Sequence, residues 1–395
     1  MKKMLITLCT LLCLCTACSS QPEKQEEVQH EQPKAEKREV SLTFTGDILI
    51  EDPLYFWMSD YQTKDTYSFK NYFDKIKPLL DGDVCIGNQE VPIAGREYGI
   101  TGINFMFNAP EEIAPQLSKL GFDVLTFANN HSFDRGFVGI EKTIDALNNA
   151  GIKTTGAFKE EHHEPLIIEK NGIRIAILAY TYDTNQWIDE NHKYAVNKFL
   201  NANHEFDEEH QAMIKADVEK AKAVSDVTIA AMHWGTEFTY QISKTQQQAA
   251  QFLNDCGVDI IVGNHPHTLQ GVDTLTNKEG KETFVMYSLG NLVSSAAAVS
   301  RASEQFQNMY EVGGIVHLDV VFDPNTKQVE IKNQKLHAIV NHFTYGYDQY
   351  ELIPFKDYNE ELAAQHYQRA CSMYFTYDYL KQNLASLFDG KIDWE

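Results

Sequence analysis

Gly121-Phe122-Asp123-Val124-Leu125-Thr126-Phe127-Ala128-Asn129-Asn130-His131-Ser132-Phe133-Asp134 is the stretch on which the reading of this chain turns. A short β-favouring run, 124–127, stops abruptly at two amides and an imidazole. No turn requires Asn-Asn-His for its backbone alone, so side-chain chemistry is the better explanation. The arrangement recurs. Val258-Asp259-Ile260-Ile261-Val262 runs into Gly263-Asn264-His265-Pro266-His267, and the run 227–232 into His233-Trp234-Gly235. Likewise 40–45 runs into Gly46-Asp47, and Val84-Cys85-Ile86 into Gly87-Asn88-Gln89-Glu90. Each apolar run ends in Asp, Glu, Asn or His, the residue types that bind hard or borderline metal ions. In layered α/β proteins, sites gather beyond the carboxyl ends of the strands.

Composition limits the alternatives. The chain has 395 residues with 43% apolar and 11% aromatic content, enough to bury a large core in one or two domains. Its net charge of −22, from 34 basic against 56 acidic residues, argues against nucleic acid as a partner, which needs clustered Lys and Arg. Of seven cysteines, Cys9, Cys13, Cys15 and Cys18 crowd the first eighteen positions, and Cys85, Cys256 and Cys371 remain with no C-x-x-C motif among them. Neither a disulfide framework nor a zinc finger is indicated.

Read in order, Met1-Lys2-Lys3-Met4 is a basic start, 5–14 a short apolar run, and Thr16-Ala17-Cys18 small residues before a cysteine. The segment is too short for a stable membrane span and reads as a secretory signal, 1–18. Its end is similar to the lipobox of bacterial lipoproteins, with Cys15 where Leu is usual. That makes Cys18 the expected lipidation site, an ordinary signal peptide cut elsewhere being the alternative. Residues 19–39, dense in Glu, Lys and Gln, read as a disordered tether.

From Val40 on, strand, loop and helix repeat. Helical periodicity is expected over 110–120, 139–149, 208–224 and 246–256. Asn171-Gly172 and the 323–326 turn each join two alternating runs as hairpins. Residues 183–209 read as an inserted polar surface loop, and 359–387 as a C-terminal helical segment. The boundaries expected are a main domain at 40–345 and a helical tail at 346–395. Hairpins mixed with helix–strand units indicate two packed sheets flanked by helices.

A pair of divalent ions explains the inventory best. Asp47 and Glu90 offer anionic oxygen, Asn130 an amide oxygen, and His233, His265 and His267 imidazole nitrogen. Two ions about 3.5–4 Å apart need a bridging carboxylate, for which Glu90 or Asp47 is available. His131 follows Asn130 directly and points elsewhere, which suits a general acid for the leaving group. Asp134 is placed to orient it. Singly, these signals are what turns and surface positions give, and His162, His163, His192, His204 and His210 in polar loops are expected to face solvent. It is the joint placement at strand ends that carries the argument.

The segments FTGDILI, GNQEVPI, FNAPEE, GFDVLTFANNHSFDRGFVGIEKT, HWGTEF, VDIIVGNHPHTLQG and YSLGN resemble the CapA/PgsA family of bacterial capsule (poly-γ-glutamate) synthesis proteins, a branch of the calcineurin-like metallophosphatases. They cover most of 40–293. The resemblance implies an α/β fold in four layers, α/β/β/α, with the site at the sheet edge. It implies that Asp47 and His267 hold one metal, that Asn130, His233 and His265 hold the other, that Glu90 bridges and that His131 is the catalytic histidine. The ions implied are Mn, Fe or Zn. Two positions depart from the superfamily pattern. Its first motif is Asp-x-His, whereas here Leu49 follows Asp47-Ile48. Its second motif is Gly-Asp, whereas here the carboxylate is displaced to Glu90.

Three functions are compatible with these residues. One is a metal-dependent hydrolase anchored by lipid outside the cell membrane. Another is a non-catalytic accessory that binds an anionic capsule polymer beside membrane synthase subunits. The third is a general extracytoplasmic phosphoesterase. A polyanion on so acidic a chain needs local positive charge, for which Arg96 and Arg135 are candidates, with Asn88 a further substrate contact.

Overall fold

The structure, a computed structural model, describes residues 35–59, 66–103, 106–162, 164–295 and 304–395. The signal segment, Cys18, His163 and the expected tether up to residue 34 lie outside them. Residues Glu36–Glu395 form one unit. In chain order its elements are β1 (Arg38–Ile48), α1 (Asp52–Met58), β2 (Val84–Gln89), α2 (Ile113–Leu120), β3 (Val124–Thr126), α3 (Gly136–Asn149), β4 (Lys153–Thr155), β5 (Leu166–Lys170) and β6 (Ile173–Thr181). There follow α4 (Glu208–Val224), β7 (Val227–His233), α5 (Lys244–Cys256), β8 (Ile260–Asn264), β9 (Val272–Thr276), β10 (Glu282–Met286), β11 (Asn291–Val293) and α6 (Glu304–Tyr310). The chain closes with β12 (Val312–Asp323), β13 (Gln328–Phe343), β14 (Tyr350–Pro354), α7 (Glu360–Gln365), α8 (Gln368–Cys371), α9 (Tyr377–Phe388) and β15 (Asp393–Trp394).

Two sheets result. The first runs β14-β13-β12-β1-β2-β3-β4, with β11 paired to β1 and β15 to β13, and the second runs β5-β6-β7-β8-β10-β9. Their central strands are buried on both faces, successive side chains pointing to opposite sides of the sheet. On β1, Val40, Leu42 and Phe44 join Ile173, Ile175 and Ile177 of β6 and Val227 and Ile229 of β7 in one apolar cluster between the sheets. The alternate residues of β6 and β7, Ala176, Leu178, Tyr180, Ala230 and Met232, face outward against Ile214 and Val218 of α4 and Ala249, Ala250 and Leu253 of α5. Cys85 and Leu125 face outward from the first sheet against Ile113, Ala114 and Leu117 of α2. Four layers, α/β/β/α, follow from that alternation. Each fully buried aliphatic or aromatic side chain contributes roughly 1.5–3 kcal/mol of transfer free energy.

Local signals behave as their chemistry requires. Asn171 and Gly172 both take positive φ, the pair of left-handed residues that a tight hairpin between β5 and β6 demands. Ser243 and Gln246 close a capping box at the start of α5.

Three boundary expectations are corrected. The tail at 346–395 is not a separate helical appendage. Its β14 and β15 pair with β13 in the first sheet, and its Phe375, Leu380, Leu384 and Phe388 belong to the inter-sheet core. Strand β1 begins at Arg38, inside the expected tether, because its first residues pair with Phe322 and Val321 of β12. The 183–209 segment is not merely a surface loop. Ala195, Val196, Phe199 and Leu200 are buried, and backbone bridges tie Val196 to Ala157 and Lys198 to Thr181.

Candidate metal centre

Strand register assembles the site. Strands β1, β2 and β3 are parallel, so their carboxyl ends fall on one edge, with Asp47 beside Asn88 and Asn88 beside Thr126. In the second sheet the parallel pair β7 and β8 sets His233 beside Asn264. Between Phe44 and Asp47 the register slips, a bulge of the kind that re-aims a side chain at a strand end. Gly46 permits the close approach that follows. A Cβ there would run into the Gly290 carbonyl, which accepts from the Asp47 amide at 2.9 Å.

Asp47 is fully buried and heavily tied. Its Oδ1 accepts from the side-chain amides of Asn88 and Asn264, each at 2.7 Å, and its Oδ2 accepts from the His265 backbone N–H at 3.1 Å. Burial alone would raise its pKa. The hydrogen bonding and charge of His267, with the two amides, outweigh burial and hold the carboxyl below its usual value.

Glu90 is the opposite case. It too is fully buried, yet neither carboxylate oxygen has a hydrogen-bond partner. Its Oε1 lies 3.8 Å from His233 Nε2 and 3.6 Å from His267 Nε2. These separations are long for hydrogen bonds. They match two ligands sharing one tetrahedral ion, which sit about 3.4 Å apart when each bond is 2.0–2.2 Å. Burial first, and then the nearby Asp47 charge, push Glu90 well above the ordinary carboxylate range. A buried carboxylate without hydrogen bonds is costly unless a cation joins it. The residues present therefore fit a metal.

The histidines divide by environment. Burial drives His233 and His265 well below the usual imidazole pKa and so keeps them neutral, the form that ligates metal. His233 Nε2 also lies 2.8 Å from Asn130 Oδ1. Burial would lower His267 as well, but Glu90 and Asp47 raise it to about 10. Carboxylates that favour a proton there favour a cation equally. Its Nδ1 lies 2.9 Å from Asn291 Oδ1, which orients the ring with Nε2 toward Glu90. His265 and His267 hold φ of 97° and 55°, left-handed backbone that non-glycine residues adopt at some cost. Asp47, Glu90 and His267 form one cluster of closely spaced ligand atoms.

His131 and Asp134 form the expected pair, Nδ1 to Oδ2 at 2.8 Å, with both side chains buried. The Phe107 amide donates to the same Oδ2 at 2.8 Å, and the Phe107 ring meets the imidazole edge-on, with centroids 4.6 Å apart.

Other expectations change. Asn88 does not offer its amide to an incoming substrate, being 3% exposed and committed to Asp47. The Arg96 guanidinium donates to Glu112 at 2.8 Å and also lies near Glu111. Arg135 donates to the Met106 carbonyl at 2.7 Å. Leu49 is packed in the apolar cluster beneath α1 and α2 and has no ligand atom to offer. His162 and His204 are exposed, while His192 and His210 are half-buried beside Asp189 and Asp207. The sequence reading missed Asn185, whose amide N–H donates to the Asn130 carbonyl at 2.7 Å and whose side-chain nitrogen lies 3.4 Å from His131 Nε2. It lies four residues past the end of β6, so only the folding back of that loop brings it to the site. Beside Asn185 runs a cleft of about 720 Å3 lined by Asp183, Thr184, Trp187 and Lys198.

Among the described residues no helix is long and apolar enough to cross a membrane. The chain is 29% identical over 268 residues to "Capsule biosynthesis protein CapA" of Bacillus anthracis, covering 65% of this chain and 60% of that protein. It is also 29% identical to "PGA biosynthesis protein CapA" of Bacillus subtilis, covering 64% and 63% respectively. It thus spans less than two thirds of the length of these relatives. A solved phosphatase from Mycoplasma pneumoniae is similar with a TM-score of 0.45 and 14% identity, over 77% of this chain and 95% of the other. The family model described as "Bacterial capsule synthesis protein PGA_cap" matches residues 41–296. A match over that much of the sequence, with the strand-end residues inside it, means that this chain belongs to the PGA_cap family of bacterial capsule synthesis proteins.

Proposed function

We propose that this chain is a metal-dependent hydrolase of capsule assembly, tethered outside the cell membrane through lipid on Cys18 and acting on an anionic polymer of the poly-γ-glutamate type. The observation that carries this reading is the Glu90 carboxylate, buried without hydrogen bonds between His233 and His267. Asp47, Glu90 and His267 would hold one divalent ion, and Asn130, His233 and His265 the other, with Glu90 shared. Bound there, Mn, Fe or Zn would supply a nucleophilic water at neutral pH and charge to hold an oxyanion. The chain's own residues do the rest. Asp134 holds Nδ1 of His131, which leaves Nε2 to carry a proton to the leaving group. Asn185 fixes the height of the Asn130 loop and faces that nitrogen. Synthase subunits in the membrane are the partners this reading implies.

A second reading, polymer handling without turnover, is favoured by one observation. The ligand side chains are all buried, whereas the cleft of about 720 Å3 lined by Asp183, Thr184, Trp187 and Lys198 contains none of them. One experiment separates the two. Metal content of the purified chain is measured beside Asn130→Ala and His267→Ala, with hydrolysis of poly-γ-glutamate and of a panel of simple phosphoesters. Stoichiometric metal with polymer cleavage that His131→Ala abolishes supports the hydrolase. Polymer binding without metal or cleavage rejects it in favour of the accessory. Turnover of the simple esters alone identifies a general phosphoesterase.

A further inference from the structure

We propose that Glu237 is a metal ligand and takes the place of the imidazole that Leu49 cannot supply. The inference rests on the metal reading above. Its basis is geometric, because ligand atoms of Glu237, His265 and His267 lie within 4.8 Å of one another. Two of the three are ligands in the proposed site, His267 on the ion that Leu49 leaves short and His265 on the other, so Glu237 stands beside both. The third comes from the loop after β7, which sequence motifs associate only with His233.

That loop is built to deliver the carboxylate. Gly235 turns with a φ of 91°, and a Cβ there would strike the Gln246 side chain at 2.8 Å. Three residues past Gly235, just beyond Glu237, Phe238 sits at a φ of 60°, unusual for a bulky aromatic residue. Its N–H donates to the Pro266 carbonyl at 2.8 Å, and its ring lies 6.0 Å from that of His267 and 5.9 Å from that of Tyr310. The Trp234 N–H donates to the Asn264 carbonyl at 3.1 Å. Residues 234–238 are thus tied at both ends to the loop that carries His265 and His267. A second observation points to a ligand: His265 is 3% exposed and its Nδ1 has no hydrogen-bond partner.

The replacement has a chemical consequence. Exchanging a neutral imidazole for a carboxylate adds one negative charge to the ligand set. Oxygen donors favour harder ions, so the exchange moves the preference from Zn toward Mn.

The test is titration of the metal-stripped full-length chain with Co(II), Mn(II) and Zn(II), followed by calorimetry and, for Co(II), by visible absorption. The comparison is with Glu237→Gln, Glu237→His and Asn130→Ala. In Glu237→Gln one equivalent is expected to bind at least about 10-fold more weakly, the lower end of losses seen when groups around a metal are removed. Its Co(II) d–d bands should change in intensity as the coordination changes. In Glu237→His binding should recover with preference shifted toward Zn(II), while Asn130→Ala should weaken the other equivalent. Unchanged affinity and bands in Glu237→Gln, with metal still bound by the parent chain, would overturn the role of Glu237 alone. No metal bound by the parent chain would overturn both this inference and the metal reading beneath it.

Discussion

The two sheets meet at one edge but bring different chemistry to it. The first supplies oxygen, from Asp47, Glu90 and Asn130, and the second supplies nitrogen, from His233, His265 and His267. Within the oxygen side a further contrast appears. Asp47 accepts hydrogen bonds from two amide side chains and a backbone N–H, whereas Glu90 accepts none. A carboxylate already satisfied by protein holds the shape of a site. One left without partners in the interior is poised for a ligand, because its burial is costly until a cation arrives.

The contrast can be broken at several points. The largest effect is expected at His131, which belongs to neither ligand set. His131→Ala should lower turnover by about 10²–10⁴, the usual share of a general acid, while leaving the metal content intact. Kinetics beside metal analysis check this. Loss of metal in that variant would show that His131 is a ligand.

Next come the two carboxylates. Glu90→Gln should cost about 10²–10³ in turnover, the scale for losing one partner of transition-state charge. The metal-free variant should nevertheless be no less stable to urea than its parent. Asp47→Ala should instead lose about 1–3 kcal/mol of stability, because the Asn88, Asn264 and His265 donors are left unpaired. If the two variants lost equal stability, the distinction between the carboxylates would not stand. Asn185→Ala, touching the edge of the site, should lower turnover by only about 10-fold, since outer groups of metal sites typically matter at 10- to 100-fold.

The last effect concerns pH. Outside the site, His342 and His366 are held down by burial, to about 4 and about 3. Their folded values lie below the unfolded value of about 6.5, so the stability they contribute is present above that pH. It is lost as pH falls toward about 4 and then about 3. Urea titrations at several pH values should show the decline, and His366→Gln should shrink it. Saturating metal should raise stability at the site by mass action without removing this component.

Much of the site was legible because strands advertise themselves. Runs such as 227–232 and 258–262 are apolar on both faces, and where such a run ends in Asn or His the next side chain stands at a sheet edge. Asp47, Glu90, Asn130, His131, His233, His265 and His267 were therefore readable from their joint placement at strand ends, not one at a time. Asn88 was misread because nothing in a linear string says that its amide would be consumed by Asp47 one strand away. Asn185 and Glu237 were missed because each reaches the site only after a loop folds back, held by hydrogen bonds to residues far along the chain.

The same division holds for the whole molecule. Local patterning determined the central strands, the hairpin that closes at Asn171-Gly172, and the capping box at Ser243 and Gln246, since these depend on neighbours within a few positions. Tertiary structure alone decided that the C-terminal tail completes the first sheet and that Leu49 is lost to the apolar core. It also placed the Glu90 carboxylate between His233 and His267. Those outcomes depend on register across strands and on which groups are left without partners, quantities that exist only once distant segments have packed together.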